Sequence, residues 1–527
     1  MKNNRFCALA VLLFFASVYS LFCIGHYGGD GYGDYLTAES IVLDGNLSLY
    51  DRPGDVDELN YIQDLGTKGR DGKIYSSRSS LGTPIILSLF YFLGHIVAGC
   101  LKNLPHDFIT MFFVSFANPI ILALSCLSVF IIAGELGFSQ AACVTLSMIY
   151  GLATMIPVYA RTGFADPTLV LFLLISIYLS LKYKSSGKLK FLVMGALTSA
   201  YMVFTRPSAF IFLPCLAFYI LWLISKRNKG LGEKIKESCY FIIPVSACLL
   251  LIGFYNWYIY GNMFKFGGQE AISTGKRLLE SPHILKGLYY YLFSTGKGFF
   301  IFNLPLVLSL IGIFQVPRKR RKEAVLLITI CLVNLLFFVK SFRRGSLFSW
   351  GPRYLLPSIA VLIFFIGDFY ERYKGVICKI SLGILSLAGF FILLPCMFIN
   401  QSKFYFFVKA QLRLDEYLVN FIPDLSPIYG AWRMFISRIL LKLTNTSLPF
   451  VYNPDYRLFP SVTASMEKYN YFDFWFLKII HFAPHYKNLV LMIMGILVLL
   501  ALVSLFIIIK NISEHDRSKS PYTHIKL

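Results

Sequence analysis

The chain has 527 residues, of which 56% are hydrophobic and only 15% charged, with a mean hydropathy of +0.63. An ordinary soluble domain carries about 25% charged residues and could not hide this much apolar surface, so soluble, disordered and collagen-like classes are excluded. Lys and Arg outnumber Asp and Glu by 50 to 28, a formal charge of +22, and the position of those cations must say whether they mark topology, anionic lipid or nucleic acid.

In chain order, apolar runs of near-spanning length occur at 6–25, 84–101, 109–134, 141–160, 167–182, 191–205, 208–226, 239–256, 298–315, 324–340, 353–370, 379–400 and 488–510. The first follows Lys2 and Arg5 and lacks a small-x-small cleavage pattern, which favours a retained spanning helix over a signal peptide. Short basic loops lie at Lys182–Lys190, Lys226–Lys236, Arg318–Lys322 and Arg372–Lys379, and the tail carries Lys510, Arg517, Lys519 and Lys526. Orientation bias puts all of these in the cytoplasm. That parity fails if all thirteen runs cross. The weakest is 84–101, which begins at Pro84 and contains Gly94, His95 and Gly99, and it reads as an interfacial or re-entrant helix.

The expectation is therefore an all-α polytopic membrane protein with about 12 transmembrane helices and both termini cytoplasmic. Residues 1–400 form the membrane module with a large first outer loop at 26–108. Residues 401–487 form an outer-face loop region, and 488–527 the last helix and tail. The basic excess is mostly address labelling. No basic face is joined to a groove-reading or stacking element, so nucleic acid is not an expected partner. The eleven Cys show no zinc or redox spacing and read as small buried hydrophobes.

The first outer loop runs against the overall charge. Ten acidic residues lie between His26 and Ser80. Asp30 and Asp34 follow the first span directly, among Gly28, Gly29, Gly31 and Gly33, where the backbone can approach a ligand closely. A carboxylate at the mouth of a membrane cavity can take a proton from an attacking group or hold a divalent cation. The acids farther along, Asp55, Asp57, Glu58 and Asp64, read as a solvated loop.

Later outer segments supply further polar residues. Asp166 precedes Pro167 five residues after Arg161; it suits a helix cap as well as a site, and the two roles are compatible. Arg206 lies between two apolar runs, where a charge is either functional or snorkelling to the surface. Lys297, after Ser294-Thr295-Gly296, and Arg353 begin spans at the outer face, against the orientation bias. Guanidinium suits bidentate phosphate contact. Trp350 and Tyr354 suit stacking on a sugar or lining an entrance, or else an interfacial aromatic belt.

An anchor helix, then an acidic Gly-rich start to a large outer loop, then Tyr75-Ser76 and Leu81-Gly82-Thr83-Pro84, resembles the GT-C class of membrane glycosyltransferases. The nearest members in pattern are bacterial relatives of protein O-mannosyltransferases and lipid A aminoarabinose transferases. Arg161 to Pro167, Thr205 to Ser208, Asn256 to Gly261, Phe293 to Gly298 and Trp350 to Tyr354 fit the same order over roughly residues 1–370.

The resemblance implies a GT-C-like bundle, an outward-facing cavity and an inverting transfer. The donor would be a polyprenyl-phosphate-linked sugar, and the acceptor a glycolipid, protein or polysaccharide. No cofactor is required. A divalent cation is compatible, with Asp30 and Asp166 as its ligands if one binds. The expected location is the bacterial inner membrane, among membrane lipids. The essential acid of the class corresponds to Asp30. Many members place two acids together there, whereas here Gly31 follows and Asp34 is the next acid, so both carboxylates stand as candidate base. Asp166, Arg161, Arg206, Lys297, Arg353, Tyr354 and Trp350 are the expected substrate-binding residues. A transporter or flippase of lipid-linked or anionic substrates, and a lipid-linked glycan ligase or polymerase using Arg433, Arg438 and His485 of the 401–487 region, are the competing readings.

Overall fold

Each of the thirteen apolar runs becomes helical, because a backbone without water must satisfy its polar groups internally. The computed structural model describes residues 2–27, 31–49, 66–76, 80–101, 103–266, 269–270, 284–340, 348–414, 418–446, 448, 450–452, 462–464, 466–468 and 471–518. Asp30, Arg343, Arg344 and the acids at 55, 57, 58 and 64 lie outside them. Among the described residues nine helices are long and apolar enough to cross a membrane, and four shorter apolar helices cover Arg5–Leu21, Gln140–Leu152, Leu189–Thr205 and Leu304–Gln315. This is a multi-pass membrane protein.

The helices in order are α1 (Lys2–Leu21), α2 (Tyr32–Leu43), α3 (Gly82–Cys100), α4 (His106–Ser115), α5 (Ala117–Glu135), α6 (Gln140–Leu152), α7 (Asp166–Ser186), α8 (Leu189–Thr205), α9 (Leu213–Ser225), α10 (Leu231–Tyr260), α11 (Ile284–Phe293), α12 (Val307–Gly312), α13 (Arg321–Val339), α14 (Leu356–Arg372), α15 (Val376–Phe398), α16 (Ser402–Ala410), α17 (Pro427–Thr444), α18 (Trp475–Phe482) and α19 (Lys487–Ser518). Three short antiparallel hairpins are the described sheet; the first pairs β1 (Gly66–Lys68) with β2 (Ile74–Ser76).

The centre of the bundle is α14. Of the apolar window of Arg353–Arg372, 83% is buried, against 11% for Leu231–Tyr260 and for Pro484–Ile512, which present their apolar faces outward. An apolar all-round surface is what lipid accepts and water does not. Close approach of α12 to α14 depends on Gly312, where an added Cβ would run into the Phe365 carbonyl.

At the helix ends that carry the basic loops, the cations pair with acids of neighbouring helices. Lys182 pairs with Glu135, Lys184 with Glu323 at 2.7 Å, Arg320 with Asp368 at 2.8 Å, and Arg227 and Lys229 with Glu237 at 3.4 and 2.9 Å. Tyr219 donates to the same Glu323 at 2.9 Å, so α7, α9 and α13 meet on one carboxylate.

Helix α3 has the length and apolarity of a span. Its buried stripe, Leu87, Tyr91, Gly94 and Ala98, follows helical spacing, and Leu89, Phe92, Leu93 and Ile96 on the other side are exposed. Gly82 sits against Phe204 and Thr205 at the end of α8, Gly94 against Thr110 of α4, and Tyr91 donates to Glu39 of α2 at 2.8 Å.

Residues 401–487, expected as a loop, contain α16, α17 and α18. A separate apolar core there includes Phe404, Phe407, Val408, Leu425 and Met434. Lys403 of α16 is buried over the ring of Tyr471, 3.8 Å from Asp473. Burial pulls its ammonium down to about 7, with Asp473 opposing and Lys478 and Arg161 adding to the effect.

Two outcomes are expected. Gly312→Leu should sharply reduce the yield of monodisperse detergent-extracted protein by size-exclusion chromatography, whereas Gly375→Ala, in open space, should not. Lys403 binds fewer protons folded than unfolded between about pH 7 and its ordinary value near 10.4, so stability should rise with pH across that window and flatten below it. Thermal melts of Lys403→Met should lose that slope.

Candidate functional site

The outer mouth is organised by one carboxylate. Asp166 opens α7 with Pro167 behind it, and the side chain is buried. Arg206 ends α8 in an extended conformation (φ −151°, ψ 117°), as a residue before proline prefers, and this turns its side chain out of the helix path. Its guanidinium donates to Asp166 Oδ1. Arg353, in the turn before α14, places Nε 3.5 Å from Asp166 Oδ2. The loops entering α7, leaving α8 and entering α14 thus meet on one acid.

Aromatic rings flank the cations. The Arg353 guanidinium lies 3.8 Å from the centroid of Phe164 and 5.2 Å from that of Tyr354, and Arg206 lies 4.7 Å from Tyr354. Tyr354 is itself stacked on Phe338 at 4.7 Å. Two guanidiniums thus meet on one carboxylate among the described residues. Asp166, a metal ligand in the sequence reading, is instead bracketed by two cations that would repel a metal. Among the described residues no three His, Cys, Asp or Glu gather to hold one.

Lys297 is brought near this cluster but faces away from the mouth. It is 1% exposed, donates to the Ser349 carbonyl and to Ser349 Oγ at 3.2 Å, and lies over Tyr405 of α16. Burial first, and Arg353 second, hold its ammonium well below the ordinary lysine value. It acts as a strut between the turn that carries Arg353 and the outer helical region. Ser294-Thr295-Gly296 docks on the same region, with Ser426 Oγ donating to the Thr295 carbonyl at 2.9 Å.

Two other expected residues have structural partners. Arg161 donates to the carbonyls of Phe22 at 2.7 Å, Cys396, Ile399 and Asp473, joining the outer ends of α1 and α15 to the segment before α18. Trp350 is 1% exposed, packed edge-on against Phe302, and its carbonyl accepts from Tyr159. Both side chains are held by the fold in this structure. Neither a lone Arg nor a lone Trp announces in sequence whether backbone carbonyls or core rings will claim it.

Asp34 lies in the first turn of α2 and is 1% exposed. Helix α2 starts directly on the 161–166 turn, since a Cβ on Gly31 would collide with the Gly163 carbonyl. The Gly-rich entry therefore serves close backbone approach. Burial and then the Asp34 carboxylate push the Tyr27 hydroxyl well above its ordinary value, which puts that acid beside Tyr27. On its other side α2 is clamped by Tyr35 Oη with Thr110 Oγ1 at 2.8 Å and by Tyr91 on Glu39.

A small cleft, partly open to solvent, lies between α2, the segment from β2 to α3, Pro207 and the end of α10. Its polar lining is Thr37, Ser76, Ser80, Tyr255, Asn256 and Tyr260. Three of the stretches that carried the resemblance, around Ser76 to Pro84, Arg206-Pro207 and Asn256 to Gly261, thus converge on one cavity. Phe164, Thr37 and Tyr255 were not singled out as site residues from the sequence; proximity to motif residues was the only signal for them.

No family model matches the chain, and no curated protein does. Among solved structures it is similar to ArnT from Cupriavidus metallidurans in the apo state, with 13% identity over 96% of this chain and 76% of that one and a TM-score of 0.44. It is also similar to the same protein bound to undecaprenyl phosphate, with 15% identity over 83% and 72% of the two chains and a TM-score of 0.45.

Removing the buried carboxylate takes from Arg206 and from buried Arg353 the acid they share. Asp166→Ala should therefore destabilise the protein by about 3 kcal/mol, read as a lowered midpoint in thermal unfolding followed by size exclusion. Arg161→Ala, which orphans four carbonyls, should fall in the same range, whereas Arg433→Ala on α17 should not.

Proposed function

We propose that this chain is an integral membrane glycosyltransferase of the GT-C class. It moves a sugar from a polyprenyl-phosphate donor to an acceptor at the outer face, with inversion at C1. The observation that carries this reading is the convergence of two guanidinium charges, Arg206 and Arg353, on Asp166, beside the 161–166 turn on which the helix of buried Asp34 starts. A phosphate monoanion is the complement of that charge, and the flanking rings suit an entrance for a lipid-linked ligand.

In the proposed reaction Arg353 and Arg206 hold the donor phosphate. The acceptor's O–H or N–H gives its proton to the Asp34 carboxylate, or to Asp30, and its lone pair attacks C1 from the face opposite the phosphate. The bond from C1 to the phosphate oxygen breaks with its electron pair, and the guanidiniums stabilise the charge that develops on that oxygen. Lys297 supports the reaction by fixing the 349–353 turn. No nucleotide or metal is needed. In this reading residues 1–400 are the catalytic module, 401–487 an outer-face region braced against Lys297 and Ser294-Thr295-Gly296, and 488–527 the last crossing and tail. Helix α3 lies at the interface, about twelve helices cross, both termini are cytoplasmic, and the membrane is a bacterial inner membrane.

A transporter or flippase would need a path that opens to the cytoplasm, and the ion pairs of Glu135, Glu237, Glu323 and Asp368 tie that side shut. The ligase reading relied on Arg433, Arg438 and His485, none of which belongs to the Asp166 cluster.

The test is release of polyprenyl phosphate from a panel of radiolabelled polyprenyl-phosphate sugars by purified protein. One donor should be consumed. Arg353→Ala and Asp34→Asn should each lower turnover by roughly 10²–10³ with normal membrane insertion; if Asp34→Asn turns over normally and Asp30→Asn does not, Asp30 is the base. Normal turnover in Arg353→Ala would overturn the phosphate assignment.

A further inference from the structure

We infer that Asp473 and Lys478 are positioning residues for the candidate base, and that they act through the outer end of α1. This deepens the transferase reading and rests on it.

The end of α1 is the first argument. A helix leaves its last carbonyls without intrahelical donors, so they must find donors elsewhere. Here the donors come from far along the chain. Trp475 Nε1 donates to the Ser20 carbonyl at 3.0 Å, the Trp475 backbone N–H to the Cys23 carbonyl at 3.0 Å, and Lys478 Nζ to the Ile24 carbonyl at 2.9 Å. Arg161 donates to the Phe22 carbonyl at 2.7 Å. Gly25 then turns the chain with φ +65° against Trp475, where an added Cβ would lie 2.6 Å from the Trp475 Cβ. The path by which the chain leaves α1 is therefore set by residues 473–478.

The second argument is what holds that segment. Asp473 is buried and pairs with Lys478 at 2.7 Å and with Lys403 of α16 at 3.8 Å. Its backbone N–H donates to the Phe398 carbonyl at the end of α15 at 2.9 Å, and its own carbonyl accepts from Arg161. Lys478 thus bridges a fixed carboxylate to the exit of α1. Removing its ammonium cuts that bridge and leaves the Trp475 contacts in place.

The third is the route to the base. Arg161 belongs to the 161–166 turn on which α2 starts, with Gly31 against the Gly163 carbonyl. Both ends of the connection from α1 to α2 are thus fastened to one hub. Gly25 reaches it through Trp475, Asp473 and Arg161, and Gly31 reaches it through Gly163. Tyr27, two residues past Gly25, is buried and packs in one core with Tyr35 and Leu36 of α2. Asp34 lies in the first turn of that helix. A shift at the exit of α1 is passed to α2 through these contacts, and a reacting group displaced by about 1 Å can cost about a hundredfold in rate.

The experiment uses the full chain in lipid nanodiscs and two readouts. Cys23 is a free, fully buried thiol at the exit of α1, and its alkylation by a maleimide is followed by peptide mass spectrometry. Release of polyprenyl phosphate from the consumed donor gives kcat and KM. Lys478→Met should speed Cys23 alkylation about tenfold, the opening that loss of one charged hydrogen bond permits. It should lower kcat by about 10–100-fold with KM unchanged. Asp473→Asn should follow it, and Lys478→Arg should restore both readouts. In Asp34→Asn, or in Asp30→Asn if that acid is the base, Lys478→Met should add no further loss, because it acts through the carboxylate already removed. Faster alkylation with normal kcat would make the segment a structural cap and overturn the positioning role. A loss carried by KM, a lowered kcat with Cys23 still protected, or a loss additive in both backgrounds would overturn it too. If the wild type consumes no donor, the transferase reading falls and the positioning role with it, and faster Cys23 alkylation in Lys478→Met would leave only the cap on α1.

Discussion

The carboxylate of Asp166 is the point on which the outer half of the molecule depends. It draws together two guanidiniums from segments 40 and 187 residues farther along the chain, and the turn that carries it is the seat for the start of α2. Arg206 and Arg353 lie against the rings of Tyr354 and Phe164, and the acid between them offsets their mutual repulsion. Structure and proposed chemistry therefore share one interaction.

The second organising feature is the opposite end of the bundle. Cations that direct orientation during insertion are reused as clamps, with Glu323 joining α7, α9 and α13 and Glu237 holding Arg227 and Lys229. The two ends of the bundle are thus chemically unequal, one laced by Lys/Arg–Glu/Asp pairs between helices and the other gathered on Asp166.

Between these ends the polar residues of the outer half divide into two kinds. Arg161, Trp350 and Lys297 are consumed by carbonyls and core contacts and hold the loops in place. Arg206 and Arg353 meet instead on the Asp166 carboxylate, with Tyr354 against both. A guanidinium surrounded by carbonyls at helix ends completes their hydrogen bonding, whereas one paired with a carboxylate keeps a charge-assisted contact.

The apolar runs and their thirteen positions were legible in the residues, because apolarity over near-spanning lengths acts locally along the chain. The pairing of Arg206 with Asp166 could be suggested from the sequence, since both flank outer turns. The diversion of Arg161 to four carbonyls, the burial of Lys297 against Ser349, the helices within 401–487 and the meeting of Thr37, Ser76, Pro207 and Asn256 in one cleft were not legible. Each of these joins segments separated by tens to hundreds of residues, and no local pattern records which loop will reach which. Hydropathy and charge determine the helices and their sense; the packing of helix ends on one another decides which polar groups are spent on the fold and which are left for a ligand.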